Sequence, residues 1–374
     1  MKKPTQCIHS GSYRDQTTRG VNTPIFTSSS YEYMDRDDTP YPRYFNTPNQ
    51  DAVIKKVCAL EHAEDGVIFS SGMAAVSTAI LAFVESGSHV VVQDEIYGGT
   101  HTLAGGLFHK HGIDHSFSGT SAEMIIDAAG DNTKVMVIES PTNPLLTVID
   151  IRKVAGFAKE NGIVTIMDNT FASPINQNPI DLGIDVVVHS GTKYLGGHSD
   201  LCCGVAVSSK EKTARIRSLA RLLGGSLNAQ TCYLLERSLK TLFIRIQRQT
   251  LNAMHLAEFL DGHKSVKNVY YPGLKHMPGY EIATSQMKGF GAMLSFELDG
   301  LNAGEFTRRL KLITPAVSLG GVETLICSPA MTSHSTMSEK DRQRVGITDR
   351  LLRLSVGAED VTDLEDDLRN ALEG

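Results

Sequence analysis

The pattern of hydrophobic residues changes along the chain. Short apolar runs rich in β-branched residues recur at 67–69, 89–92, 135–138, 163–167 and 186–188. Runs of this kind are typical of strands that are buried on both faces of a parallel sheet. Helical stretches lie between them, for example at 151–161. The alternation predicts an α/β, doubly wound domain with a mainly parallel sheet.

After residue 213 the pattern becomes mainly helical. Helical periodicity covers 213–223 and 229–260, with Gly224 and Gly225 in the turn between them. Strands at 290–298 and 351–356 and helices at 303–312 and 360–372 then predict a smaller C-terminal α+β domain. Because 374 residues exceed the size at which one core usually stops growing, we place a large domain at 51–240 and a small one at 241–374.

The first 50 residues differ from the rest of the chain. They are rich in Thr, Ser, Tyr, Asp and Pro, and they show little apolar periodicity. Pro40, Pro42 and Pro48 prevent a continuous helix in this arm. Such a segment is either disordered or wraps around a partner subunit.

Composition argues against several classes of protein. The net charge of −6 and the pI near 6.1 disfavour a surface for nucleic acid or anionic membranes. No secretory signal pattern is visible, and the longest nearly apolar run, 74–84, is too short to cross a bilayer. We therefore expect a cytoplasmic protein with neither nucleic-acid nor membrane partners. The six cysteines form no Cys-x-x-Cys pair, and the histidines at 109–115 match no metal motif, so no metal is expected.

Polar segments follow four of the predicted strands. Ligands of open α/β sheets bind outside the carboxyl ends of the strands, so we expect these segments to converge. Ser71, Gly72 and Met73 lie in a small-residue turn that opens a helix; this suits a phosphate, or reflects simple N-capping by serine. Asp168 ends a buried strand, where a carboxylate needs a cationic partner such as a pyridinium nitrogen, or caps the next helix.

Lys193 lies in a turn rich in glycine and serine after the strand at 186–188. Burial and neighbouring charge would lower its pKa and suit a Schiff-base lysine, although a surface lysine is the commoner state. Ser190 and Thr192 occupy alternate positions, so both hydroxyls can face a phosphate. Tyr97 follows another strand, where it stacks on a flat heteroaromatic ring or packs as an ordinary tyrosine.

The combination of a strand-end Asp, a Ser-x-Thr-Lys turn, a glycine-containing turn and a Tyr resembles the transsulfuration family of pyridoxal-5′-phosphate (PLP) enzymes. The resemblance runs from Ile8-His9-Ser10-Gly11 to Arg353-Leu354-Ser355-Val356-Gly357. It implies PLP fold type I, which is aspartate-aminotransferase-like, with PLP as cofactor and a small sulfur amino acid as substrate. We favour a cystathionine γ-lyase-type elimination. The alternatives are a methionine or homocysteine γ-lyase, a cystathionine β-lyase, a cystathionine γ-synthase and a non-catalytic PLP-binding protein.

The resemblance also implies residue roles around the cofactor. Lys193 carries PLP and then shuttles protons, while Asp168 pairs with the pyridine nitrogen. Tyr97 stacks on the ring and acts as acid or base towards the leaving sulfur. The residues expected at the phosphate are Ser71, Gly72, Met73, Ser190 and Thr192.

Further implied roles concern the substrate and a neighbouring subunit. Arg353 matches the arginine that binds the substrate carboxylate, where a planar fork suits two oxygens; Asn143 and Ser318 match its helpers. Tyr41 and Arg43 match the Tyr-x-Arg of an arm that grips the phosphate of a neighbouring subunit. The arm is therefore expected at an interface, within a homotetramer made of two active dimers.

Two departures from the family pattern bear on the substrate. Gly99 stands where methionine γ-lyases typically carry Cys, which counts against that member. Val317 stands where many cystathionine γ-lyases and γ-synthases have Glu, which attracts the distal ammonium of cystathionine. A valine there favours an apolar substrate tail or a β-lyase. Val317 is thus a further expected substrate-binding residue, and the member stays open.

Overall fold

The computed structural model describes residues 1–35, 37–332, 342 and 346–374. Within these residues the chain forms one sheet of seven strands and one of five. Helices cover both faces of the larger sheet. The prediction of an α/β domain followed by a smaller α+β domain is confirmed, while the boundaries at 50 and 240 stay a prediction.

The larger sheet has strand order β1-β7-β6-β5-β4-β2-β3. Among the described strands only β7 runs antiparallel to its neighbours, so the sheet is mainly parallel, as predicted. Its strands are β1 (Asp65–Phe69), β2 (His89–Gln93), β3 (Asp114–Ser118), β4 (Thr133–Glu139), β5 (Val164–Asp168), β6 (Val186–Ser190) and β7 (Gly204–Ser208).

Alternation along each strand divides the core of this domain into two layers. In β6, Val187 packs into one apolar cluster, and Val186 and Val188 pack into the other. This is the expected result of a period of two in a sheet that is buried on both faces. The helices of this region are α1 (Lys3–His9), α2 (Pro48–Glu61), α3 (Gly72–Leu81), α4 (Gly98–Leu107), α5 (Ala122–Asp127), α6 (Ile151–Glu160), α7 (Ser173–Asn176), α8 (Lys210–Leu223) and α9 (Ala229–Leu239).

The smaller sheet has strand order β10-β11-β12-β9-β8. Its strands are β8 (Val266–Tyr270), β9 (Met293–Leu298), β10 (Thr314–Pro315), β11 (Leu325–Cys327) and β12 (Leu351–Ser355). It packs with α10 (Leu242–Asp261), α11 (Tyr280–Gln286), α12 (Ala303–Arg309) and a C-terminal helix (Val361–Glu373). Every helix within the described residues is too short or too polar to span a bilayer.

The prediction of one continuous helix over 229–260 is wrong. The chain leaves helical geometry at Thr241, where φ is −104° and ψ is 1°. The Ser238 carbonyl accepts hydrogen bonds from the Thr241 hydroxyl at 3.1 Å and from Arg245 Nη2 at 3.0 Å. These bonds satisfy the carbonyl from outside the helical ladder, so α9 ends at Leu239 and α10 begins at Leu242.

Candidate active site

A cavity of about 600 Å³ lies at the carboxyl ends of β2, β4, β5 and β6. The predicted convergence of the strand ends therefore occurs in the structure. Segments next to the smaller sheet complete the wall. The lining residues that the sequence singled out are Ser71, Gly72, Met73, Tyr97, Asn143, Asp168, Ser190, Thr192, Lys193, Val317, Ser318 and Arg353.

The start of α3 forms one end of the cavity. Ser71 caps this helix, since its Oγ accepts the Ala74 N–H at 3.1 Å. A Cβ on Gly72 would lie 2.9 Å from the Ser190 Cβ, so only glycine lets the helix start approach the turn after β6 so closely. The first-turn amides of a helix have no intrahelical acceptors. Together with the Ser190 hydroxyl, the amides of Gly72 and Met73 form a cradle suited to a phosphate.

Thr192 stands beside this cradle and is anchored to the next strand connection. Its Oγ1 accepts the Cys203 N–H at 3.1 Å and donates to the Cys203 carbonyl at 3.3 Å. The turn that carries Thr192 is thus held in place by contacts that do not involve the Lys193 side chain.

Asp168 lies at the end of β5 and faces the cavity. Its Oδ1 accepts the Thr170 N–H at 2.9 Å, and burial raises the pKa of the carboxyl. A cationic partner in the cavity would offset this cost of burial. A protonated ring nitrogen carries the charge that such a partner needs.

Glu139 is the register partner of Asp168 on β4, so two carboxyl groups share this end of the cavity. The Glu139 side chain is buried, and its Oε2 accepts the Tyr97 N–H at 2.9 Å. Burial, and then the like charge of Asp168, raise the pKa of Glu139 well above its ordinary value. A protonated Glu139 beside an ionised Asp168 is the arrangement that this pair favours.

Lys193 projects into the cavity from the turn after β6. Its Nζ donates to the Ser318 Oγ at 2.7 Å. Burial, and then the positive charge of Arg353, lower the pKa of Lys193. A lysine in this setting is a better nucleophile than a surface lysine. Ser318 itself has φ +81°, a strained conformation for a residue other than glycine, which a tightly defined site can maintain.

Arg353 is a nearly buried cation on the central strand β12, only 5% exposed. Nη1 donates to the Asn143 Oδ1 at 2.8 Å and Nη2 to the Ser318 carbonyl at 3.3 Å, while Nε has no partner among the described residues. No carboxylate within the described part of the chain pairs with it. An arginine so placed is suited to a carboxylate that enters the cavity.

Tyr97 precedes α4, and its side chain is 46% exposed at the cavity. A Cβ on Gly99 would lie 2.5 Å from the Tyr97 ring and 2.8 Å from Met73 Sδ. Glycine at 99 therefore lets the tyrosine ring pack down over the start of α4.

A protein-family model described as Cys/Met metabolism PLP-dependent enzyme matches residues 4–373. The chain belongs to this family. It is 42% identical over 378 residues to the cystathionine gamma-lyase of Bacillus subtilis (strain 168), with all of both chains covered. It is also 42% identical to the cystathionine beta-lyase of Lactococcus lactis subsp. cremoris (strain MG1363), covering 99% of this chain and 98% of the relative.

Solved structures agree with the assignment to the Cys/Met metabolism family. A crystal structure of cystathionine gamma-lyase from Lactobacillus plantarum, complexed with L-serine, superposes with a TM-score of 0.96 at 38% identity. The match covers 100% of this chain and 99% of that one. The predicted family, fold class and PLP cofactor are confirmed, and the chain is a PLP-dependent enzyme.

Tyr41 and Arg43 do not line the cavity of their own chain. They lie in a short 3₁₀ segment, Pro42–Tyr44, and its flank, where Arg43 Nη1 donates to the Arg221 carbonyl at 2.6 Å. The Arg43 guanidinium also contacts the rings of Tyr41 and Tyr44. Within one chain these residues form a separate surface at the end of α8.

Several cavity residues were missed in the sequence, among them Glu139, Phe171 and Cys202. Glu139 directly follows the apolar run 135–138, so the strand-end rule applied to Asp168 would have found it. Phe171 and Cys202 carry no comparable local signal. Among the described residues no group of three or more His, Cys, Asp or Glu side chains is placed to hold a metal ion.

Proposed function

We propose that this enzyme is a carbon–sulfur lyase that cleaves L-cystathionine by γ-elimination. The products are L-cysteine, 2-oxobutyrate and ammonia, with one water consumed. The observation that carries the proposal is the convergence of Lys193, Asp168 and Arg353 on one cavity, with Lys193 Nζ 2.7 Å from Ser318 Oγ. The names of the relatives support sulfur amino-acid chemistry at this site.

The cavity residues divide into groups that fit the parts of PLP. Lys193 would hold the cofactor covalently through Nζ, and Asp168 would pair with the ring nitrogen. The turn at 71–73, with Ser190 and Thr192, would hold the phosphate. When bound, the cofactor supplies an electron sink that makes the Cα–H bond of an amino acid acidic.

The substrate is oriented by Arg353, whose guanidinium binds the α-carboxylate with Asn143 beside it. Lys193 Nζ would serve as the base for the Cα proton and, in turn, for a Cβ proton, the two that γ-elimination must remove before sulfur leaves Cγ. The short contact to the Ser318 hydroxyl keeps Nζ on the side of the cavity where this transfer takes place. Tyr97 Oη gives a proton to the sulfur as the Cγ–S bond breaks and cysteine leaves.

Val317 supports a second candidate function, which is β-elimination to pyruvate. Its side chain is 69% exposed at the cavity and is apolar, so it offers no charge to a distal ammonium group. A valine at this position favours an apolar substrate tail, such as that of methionine, or the β-elimination reaction. Lys193 and Tyr97 can serve either elimination, and we place γ-elimination first because the relative named cystathionine gamma-lyase matches over all of both chains.

The assembly that we propose is a homotetramer in which Tyr41 and Arg43 reach the phosphate of a neighbouring subunit. Their position away from the cavity of their own chain is consistent with this assignment.

The experiment is to incubate the purified protein, loaded with PLP, with L-cystathionine and to identify the 2-oxo acid formed. 2-Oxobutyrate supports the proposal. Pyruvate replaces it with β-elimination. If neither acid forms, methionine, homocysteine and activated homoserine esters are tested next, and the cystathionine assignment is abandoned.

A further inference from the structure

Helix α10 carries a buried arginine that no step above uses. Arg245 is 6% exposed, and no carboxylate among the described residues pairs with it. Burial lowers the pKa of Arg245 to about 10, which leaves the guanidinium charged at neutral pH. A buried, unpaired charge is costly unless oxygen atoms surround it. The oxygen atoms that surround the Arg245 guanidinium therefore show which segments of the chain this residue holds together.

The guanidinium of Arg245 binds the turn that directly follows Lys193. Nη1 donates to the Tyr194 carbonyl at 2.9 Å, and Nη2 reaches the Leu195 carbonyl at 3.4 Å. On the other side, Nη2 and Nε donate to the Ser238 carbonyl and the Thr241 hydroxyl, at 3.0 and 3.1 Å. The arginine therefore ties the lysine turn to the α9–α10 junction.

Gly197 shows how closely the turn packs on this charge. It has φ +69°, and a Cβ at that position would lie 1.9 Å from Arg245 Nη1. The turn 194–197 thus wraps around the guanidinium.

The next turn of α10 holds the opposite wall of the cavity. Gln249 Nε2 donates to the carbonyls of Gly321 and Val356, at 2.6 and 3.1 Å. These acceptors follow Ser318 and Arg353 closely in the chain. Gly320 in turn lies against the Lys193 backbone, since a Cβ there would be 3.0 Å from the Lys193 carbonyl carbon.

We infer that Arg245 is a positioning residue, which fixes the backbone of the Lys193 turn relative to the wall formed by Ser318 and Arg353. Gln249 supplies the matching anchor on that wall, so α10 sets the spacing across which Lys193 Nζ meets Ser318 Oγ. This inference rests on the proposed role of Lys193 as the residue that takes PLP and moves the proton.

The test is Arg245→Lys, with Arg248→Lys on the exposed face of the same helix as the matched control. An ammonium group keeps the charge but cannot match the fork that reaches four oxygen atoms. Two readouts need no turnover. One is the rate at which the apoprotein attaches PLP to Lys193; the other is the affinity for pyridoxine 5′-phosphate, which lacks the aldehyde and tests the ring and phosphate contacts alone.

We expect Arg245→Lys to slow PLP attachment and to lower kcat on L-cystathionine by about 10- to 100-fold each, the cost of a misplacement near 1 Å. The KM and the affinity for pyridoxine 5′-phosphate should stay within about twofold, because Thr192 is anchored separately at Cys203. Arg248→Lys should behave as the parent protein does.

Thr241→Val is the second variant, and it keeps the inference testable if Arg245→Lys does not fold. It removes one acceptor and leaves the cation, so a smaller loss of both rates is expected. Parental attachment rates and kcat in either folded variant overturn the inference. So does a parallel loss of pyridoxine 5′-phosphate affinity, which indicates general damage. If the parent protein itself attaches no PLP at Lys193, the proposed function fails first and the inference falls with it.

Discussion

Lys193 and Arg353 are two positively charged side chains on the wall of one cavity, so they do not form an ion pair. Burial, and then the positive charge of Arg353, lower the pKa of Lys193, which increases the fraction of free amine. The same cavity offers Lys193 a hydroxyl, from Ser318, as its hydrogen-bond partner. A nucleophilic, proton-accepting lysine follows from these surroundings.

We therefore predict that Lys193→Ala abolishes covalent attachment of PLP. Activity on the best substrate should fall by at least about 10²- to 10⁴-fold, the range for removal of a general acid–base group. Borohydride reduction followed by peptide mass analysis measures attachment directly. A variant that stays yellow, with cofactor reduced onto the chain, would assign that role to another lysine.

Val317 is an exposed, apolar side chain on the cavity wall, so a charge introduced at this position can be compared with its absence. Val317→Glu places a carboxylate within reach of a distal ammonium group. It should raise the ratio of kcat/KM for L-cystathionine over L-methionine by up to about 5-fold, since one exposed charge contact contributes up to about 1 kcal/mol. Val317→Gln controls for size and polarity. An unchanged ratio in the Glu variant would remove Val317 from the specificity determinants.

At the scale of elements, the paired strand ends of β4 and β5 place Glu139 beside Asp168. The folded-state pKa of Glu139 is raised above its unfolded value. The unfolded chain thus loses this proton at lower pH than the folded chain. The contribution of Glu139 to the free energy of unfolding therefore decreases as pH rises from about 4.5.

Glu139→Gln removes this titration and keeps an acceptor for the Tyr97 amide. The apoprotein of this variant should gain stability over the parent between pH 5 and pH 7, at up to about 1.4 kcal/mol per pH unit. Urea unfolding at both pH values measures the difference, with Glu160→Gln on the exposed end of α6 as the baseline. A stability difference that is the same at both pH values would show that Glu139 is not the titrating group.

The elements also show where sequence patterns suffice. Apolar, β-branched runs located β1, β2, β4, β5 and β6, because strands buried on both faces carry a strong signal. The edge strand β3, Asp114–Ser118, was missed, since its residues are mostly polar. The break between α9 and α10 has no Gly or Pro, and one of its carbonyls, that of Ser238, is bound by Arg245 from the following helix.

In the site, too, some residues can be predicted from the local sequence, whereas others depend on contacts between distant parts of the chain. Asp168 and Lys193 can be recognised as candidate site residues from the sequence, because each is a charged residue at or just after the end of a predicted strand. At Ser71 the two interpretations proved compatible, since its hydroxyl caps α3 while the helix start still faces the cavity. Phe171 and Cys202 are brought to the cavity by tertiary packing, which no local pattern of the sequence records.

At the scale of the whole molecule, the cavity lies between the two sheets, and neither sheet forms it alone. The larger sheet supplies the strand ends and the lysine turn, and the smaller one supplies Arg353. The helix α10 joins the two sides through Arg245 and Gln249. The distance between the Lys193 turn and Arg353 thus depends on the relative position of the two sheets.

The arm extends this dependence to a second chain. Tyr41, Arg43 and Tyr44 lie on the surface of their own chain beside Leu222 and Leu223, which are 81% and 57% exposed. Large apolar side chains exposed together in this way are typical of an interface between subunits. We accordingly expect Arg43 to complete the phosphate site of the neighbouring subunit.

Mixing two inactive variants tests this expectation. In a dimer of Arg43→Ala and Lys193→Ala subunits, one site combines an intact Lys193 with an intact arm from the partner. Random exchange makes half of the dimers hybrid, with one complete site in each, so about one quarter of the parental activity should return. Mixing Arg43→Ala with the Arg43→Ala, Lys193→Ala double variant should restore nothing, because no intact arm is present. If mass analysis proves subunit exchange and activity still does not return in the first mixture, Arg43 acts within its own chain.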